Sequence, residues 1–291
     1  MLTTGVSCPQ KFFREYVERR SSSTLSIDLH AGGACAKAFE VYRHAYYVDG
    51  RSFDDARCLA ISAFIDFWGD FQTDEDEVKS FERVLTSWLE YFDAYPPEDD
   101  PIRPLVTADG AAIEFTFAIP IPVPHPETGD PILYGGRFDM LGTMGACLYV
   151  VDEKTSKRID PNWSKLWQMR AQFLGYIWAA REYGFAVDGY VARGIIIHKN
   201  DSVHVQSIAG VPQWRIEHWY KQMVRNVQRL VDCYKEGYFD FAYGEACFAY
   251  FKPCIFMPLC TSDTPENWYG DYVERTWDPL KKNPTEKETE T

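Results

Sequence analysis

Apolar residues recur every three to four positions in four stretches of the first hundred residues: 11–20, 34–48, 54–68 and 78–95. That is the period of a helix with one buried stripe, so the N-terminal third is predicted to be helical. Pro96, Pro97, Pro101 and Pro104 then break the pattern and mark a linker. From Ala111 the period falls to two, with Ile113, Phe115, Phe117 and Ile119 on one face and Glu114, Thr116 and Ala118 on the other, the mark of a half-buried strand. A proline-rich loop is expected over 120–131, followed by strands at 137–142 and 147–152 that would pair antiparallel. Residues 164–183 place Leu166, Met169, Phe173, Ile177 and Ala180 on one face of a helix. Strands at 189–198 and 202–208 and a long amphipathic helix at 216–236 complete the order. Residues 281–291 are polar, without an apolar anchor, and are expected to be disordered.

A chain of 291 residues with 46% hydrophobic and 16% aromatic content can bury a sizeable core, which excludes a wholly disordered protein. No apolar run approaches the ~18 residues of a membrane span, and residues 1–20 lack a secretory apolar segment, so a reducing cytoplasmic location is expected. The net charge of −13 argues at first against a polyanionic partner. The acid is concentrated, however: residues 70–100 hold eleven acidic side chains against Lys79 and Arg83, whereas residues 137–170 hold six basic against four acidic, so a polyanion can dock there. No repeat and no phosphate-cradling glycine loop is present, so any helicase action would require a partner.

The candidate chemistry centres on carboxylates. Asp139 falls within the second strand, and the third ends in Asp152, Glu153, Lys154 and Thr155, where alternation sends Asp152 and Lys154 to the same side. Carboxylates on adjacent strands suit one or two hard cations, magnesium or manganese, with Asp139, Asp152 and Glu153 as candidate ligands. Such a metal site hydrolyses phosphodiesters without a covalent nucleophile, and the lysine orients water or offsets developing charge. Gln172 and Tyr176, four apart, share one strip of the following helix, with Lys165 two turns back; the strip can track a nucleic-acid backbone. Glu114 lies opposite the apolar face of its strand and can reach the same cavity.

The eight cysteines divide into two sets. Cys247, Cys254 and Cys260 occur in a turn-rich segment with Pro253 and Pro258, and Cys8 precedes Pro9 near the other end of the chain. Four thiolates suit zinc or an iron-sulfur cluster, and the absence of a closely spaced cysteine pair tilts the choice towards the cluster. Cys35, Cys58, Cys147 and Cys233 are expected to be buried small apolar residues.

Three motifs in order, Gly136-Arg137-Phe138-Asp139, then Asp152-Glu153-Lys154-Thr155 after the apolar 148–151, then Gln172 to Tyr176, resemble the PD-(D/E)xK nuclease superfamily. The resemblance is to its RecB-like exonuclease branch, which includes CRISPR-associated and bacteriophage nucleases, and it covers about residues 1–262. It implies an α/β fold with a restriction-endonuclease-like core, a mixed central sheet flanked by helices, a helical N-terminal part and a C-terminal iron-sulfur clasp. The expected divisions are a helical part over 1–105, a nuclease core over 106–210, a helix and cluster segment over 211–262, and a partly disordered tail over 263–291. The resemblance implies metal binding by Asp139 and Asp152, a catalytic Lys154, Gln172 and Tyr176 beside the site, and often an acidic residue at the place of Glu114. It also implies a structural [4Fe-4S] cluster on Cys8, Cys247, Cys254 and Cys260, and DNA ends, preferably single-stranded, as substrate. Recombination or helicase partners, a homo-oligomer and a phage or mobile-element origin are further implications.

One position departs from the family. Many members carry a metal-binding histidine in an N-terminal helix one turn before a glutamate, and here Ala36 stands before Glu40. His30 is expected to precede the helix, leaving Glu40 or water to complete the shell. That departure favours an alternative, a non-catalytic DNA-binding or scaffold subunit that retains fold and cluster. A zinc-stabilised endonuclease is a third reading.

Overall fold

The computed structural model describes residues 2–23, 25–108, 110–244, 246–248, 252–275 and 278. The helices are α1 (Leu2–Ser7), α2 (Pro9–Phe12), α3 (Ile27–Arg43), α4 (Phe53–Trp68), α5 (Phe81–Ala94), α6 (Trp163–Leu166), α7 (Ala171–Glu182), α8 (Gln213–Glu236) and α9 (Met257–Thr261). The strands are β1 (Arg20–Ser22), β2 (Arg103–Pro104), β3 (Val106–Thr107), β4 (Gly110–Ala111), β5 (Ile113–Pro124), β6 (Pro131–Met144), β7 (Cys147–Ser156), β8 (Gly189–Ile197), β9 (Ser202–Gly210) and β10 (Tyr272–Glu274). The chain forms two compact units, one of residues 25–116 and 137–216, the other of residues 1–24, 117–136 and 217–291.

In the larger unit the sheet runs β2-β6-β7-β8-β9, with β5 also paired to β6. The β7–β8 pair is parallel and the β6–β7 and β8–β9 pairs antiparallel, so the sheet is mixed, as expected. All of β8 is buried, which suits a strand covered on both faces and accounts for its near-continuous apolar run. On one face, Ile195 and Ile197 pack with Ala34, Phe39, Phe64 and Trp88 of α3, α4 and α5. On the other, Trp163 of α6 lies so close to Gly194 that an added Cβ would stand 2.5 Å from the ring. Glycine is required there by this close approach. Phe173 of α7 stacks on Tyr190 at 4.6 Å.

Several expectations need correction. The helix predicted over 164–183 is two helices, α6 and α7, separated by residues 167–170, with Trp163 at the start of α6 docked on Gly194. Met169, expected on the buried stripe, is therefore 77% exposed. His30 does not precede α3 but lies in its first turn, with its ring stacked on Phe71 at 4.1 Å and Nε2 3.1 Å from the Trp68 carbonyl. Of the four cysteines expected to be buried, Cys35 and Cys233 are, but Cys147 is half-buried and Cys58 is exposed on α4.

In the smaller unit the expected proline loop is shorter than predicted. Strand β5 continues to Pro124 and β6 begins at Pro131. Pro120, Pro122 and Pro124 alternate with buried Ile121 and Val123, so every missing N–H points to the same side, as an edge strand tolerates. Phe13 stacks on Phe239, and Tyr134 meets Trp219 edge to face. Part of the expected tail is ordered: residues 265–271 form a 3-10 turn and β10 pairs antiparallel with β1. Residues 281–291, expected to be disordered, lie outside the described residues.

Candidate active site

The β6–β7 pairing matches Met140 with Val151, and one step further Asp139 and Asp152 meet at the mouth of the two strands. Asp152 is buried and Asp139 half-buried, and both are held above the ordinary aspartate range. For Asp139 the cause is burial followed by the charge of Asp152; for Asp152 it is burial, opposed by Lys154. Asp152 Oδ1 accepts a hydrogen bond from Gln172 Nε2 at 3.0 Å, and the same amide reaches the Tyr176 hydroxyl at 3.0 Å. Oδ2 is met by Lys154 Nζ at 2.5 Å as an ion pair. Burial lowers the Lys154 pKa, but Asp152 and Asp139 more than offset this, so the ammonium is held charged. It supplies beside Oδ2 the positive charge that two neighbouring carboxylates require.

Alternation along β7 sends Glu153 to the opposite face, against α3 and α5. There its carboxylate pairs with Arg43 and accepts a hydrogen bond from the Tyr91 hydroxyl at 3.2 Å. Its side chain, expected among the metal ligands, is thus held by Arg43 and Tyr91 while bordering one cavity with Asp139 and Glu114, and its backbone N–H donates to Asp139 Oδ2 at 3.3 Å. The network continues inward: Arg193 donates to Tyr91 at 2.8 Å and to both oxygens of Asp100 at 2.7 Å. The sequence reading missed Arg43, Tyr91, Arg193 and Asp100. The legible signal was Arg193, a single charge inside the otherwise apolar 189–197.

Glu114 sits where β5 kinks, with φ of +50°, a left-handed conformation that costs about 1–3 kcal/mol for a non-glycine residue. The kink explains why the expected alternation slips, leaving Ala112 and Ile113 both buried. Glu114 pairs with Arg137 Nε at 2.7 Å, and burial pushes its carboxyl up to about 7 despite that partner. With Asp139, Glu153 and Ala36 it borders a cavity of about 20 Å³. Ala36 presents only a methyl group where the resembled family carries histidine. His30 is held away in its aromatic contacts, and Glu40 pairs with Lys37 at 2.8 Å. Lys165, expected on the Gln172–Tyr176 strip, is on the separate helix α6.

The four cysteines of the predicted cluster all lie in the smaller unit. Cys8 caps α2, with Sγ 3.4 Å from the Lys11 N–H, and the Cys254 N–H donates to the Cys247 carbonyl at 2.8 Å. Cys260 is on α9, and its thiol is pushed up to about 11 by burial and by the proximity of Cys254, Cys8 and Cys247. Four thiols, with Cys254, Cys8 and Cys247 close enough to act on Cys260, are a donor set suited to a soft metal or an iron-sulfur cluster. The carboxylates of Asp152 and Asp139, side by side, are correspondingly a donor set suited to a hard cation. Among the described residues, no three His, Cys, Asp or Glu side chains already stand in metal-holding geometry.

The profile of the PD-(D/E)XK nuclease superfamily matches residues 1–261, and the chain belongs to that superfamily. No curated protein matches significantly. A solved structure described as a "putative exonuclease" from Eubacterium rectale is 14% identical and aligns over 88% of this chain and 86% of its own, with a TM-score of 0.42. That of SSO0001 is 11% identical over 80% of this chain and 86% of its own, with a TM-score of 0.31. No described helix is long and apolar enough to cross a membrane.

Proposed function

We propose that the chain is a metal-dependent deoxyribonuclease, acting as an exonuclease with a preference for single-stranded ends. The observation that carries this reading is the pairing of Asp139 with Asp152, whose buried Oδ2 is met by the charged Lys154 at 2.5 Å. Magnesium or manganese on these carboxylates would polarise the phosphoryl oxygen and lower the pKa of the attacking water. Gln172 fixes the rotamer of Asp152, and Tyr176 fixes Gln172. Lys154 orients the water or offsets charge building on the phosphate. Glu153, held by Arg43 and Tyr91, positions its own N–H against Asp139. Glu114 stands beside Asp139 as a further acidic group. A [4Fe-4S] cluster on Cys8, Cys247, Cys254 and Cys260 is part of the proposal, with a structural role.

The test is degradation of end-labelled single- and double-stranded DNA by anaerobically purified protein with manganese, alongside an Asp152→Ala variant. Cleavage that disappears in the variant supports the enzyme, and the order of label release gives polarity. Equal inactivity of both proteins, with DNA binding retained, would replace it by the scaffold reading that Ala36 favours.

A further inference from the structure

The segment joining α6 to α7 carries a surface that packing does not explain. Gly194, against which Trp163 rests, pairs with Lys154 across the parallel β7–β8 ladder. Paired residues of neighbouring strands direct their side chains to the same face, so residues 163–170 cover the sheet on the face of Lys154, about one ~4.8 Å strand spacing away. At the other end of the segment Gln172 holds Asp152, and three residues of chain reach at most about 11 Å, so Met169 lies close to the carboxylates.

Met169 is 77% exposed, and so, at 64%, is Trp214 in the first turn of α8. Arg215 NH1 reaches the Gln168 carbonyl at 3.4 Å, which brings the residues next to these two side chains together. Lys165, Arg170 and Arg215 form no ion pair among the described residues, in a chain whose net charge is −13. Arg215 Nε is buried without an acceptor. The Arg215 guanidinium lies 5.5 Å from the centre of the Trp214 ring and that of Arg170 5.7 Å from the Trp167 ring. An exposed indole beside cations that form no ion pair is the combination that single-stranded nucleic acid recognises: bases stack on the ring and phosphates meet the cations. A duplex already stacks its bases on each other and offers the ring little.

We infer that Trp214 and Met169, with Lys165, Arg170 and Arg215, form an entry surface that stacks the bases of a DNA single strand on its way to Asp152. The inference rests on the deoxyribonuclease reading and adds to it the residues that select the strand. Its test uses the full chain carrying Asp152→Asn, so that binding is measured without cleavage, with fluorescent oligothymidylate, a blunt hairpin duplex and oligouridylate as probes. Trp214→Ala should weaken oligothymidylate binding about five- to a hundredfold and change duplex binding less than about twofold, and Trp214→Phe should restore most of the loss. Arg170→Ala should reduce the salt dependence by about one unit of slope. Unchanged oligothymidylate affinity in Trp214→Ala, an equal loss on the duplex, or no rescue by phenylalanine would overturn the surface; if the wild-type chain still cleaves DNA, the deoxyribonuclease reading survives. Tighter binding of oligouridylate would overturn DNA as the strand. Failure of the wild-type chain to bind or cleave any probe would remove both readings together.

Discussion

Asp139 and Asp152 share one mouth where each raises the cost of ionising the other. A carboxyl whose folded pKa is raised binds more protons in the native than in the unfolded chain, so stability falls as pH rises above the unfolded value. Metal-free Asp139→Asn should therefore melt above the wild type at alkaline pH, the gap closing as pH falls towards 3.8, while cleavage is lost. A wild type that melts higher than the variant at alkaline pH would contradict this. For Glu114 the window runs from about 4.5 to about 7, and Glu114→Gln should flatten the pH dependence of Tm across it. Tyr91 acts at one remove, its hydroxyl lying between Arg193 at 2.8 Å and Glu153 at 3.2 Å. Tyr91→Phe should cost about 1–3 kcal/mol in urea unfolding, because it leaves a buried guanidinium short of an acceptor. It should also lower kcat with KM unchanged, since Tyr91 holds Glu153 rather than the substrate. The Asp139, Asp152 and Lys154 positions were legible at this scale because alternation is local. The pairing of Glu153 with Arg43 was not, because Arg43 lies 110 residues away.

Among the elements, the period of the sequence located the longer helices α3, α4, α5, α7 and α8 and the long strands β5 to β9, but not the short α1, α9, β1 to β4 and β10, which hold too few residues to show a period. The break between α6 and α7 contains no glycine or proline, since residues 167–170 are Trp167, Gln168, Met169 and Arg170. The short α6 is seated by Trp163 docking on Gly194, two residues brought together only by the fold. Gly194→Ala should push Trp163 from the sheet and destabilise the protein by about 1–3 kcal/mol, read by urea denaturation with a change in tryptophan emission. Stability and emission matching the wild type would show that the ring is not seated there. The prolines of β5 misled for the opposite reason. Their alternation with Ile121 and Val123 is strand-like, but only pairing along a single side makes three missing N–H groups tolerable.

At the scale of the whole molecule, two sets of donors are gathered from distant parts of the chain: carboxylates from β5, β6 and β7 in one unit, thiols from residue 8 and residues 247–260 in the other. Anaerobically purified Cys254→Ala should lose iron and sulfide and melt well below the wild type; full iron and sulfide content in that variant would refute the cluster. The sequence by itself determined the superfamily, the order of the longer helices and of strands β5 to β9, and the placing of Asp139, Asp152 and Lys154 on neighbouring strands. These rest on hydrophobic period and short-range spacing, which act between residues a few positions apart. Only the tertiary structure decided that Glu153 is held by Arg43 and Tyr91, that His30 is stacked on Phe71, that Met169 faces outward, and that a charged network from Asp100 to Glu153 lies behind the site. Each of these depends on which face of one element meets another, and that choice is made by packing between residues far apart in the chain, where no local period reaches.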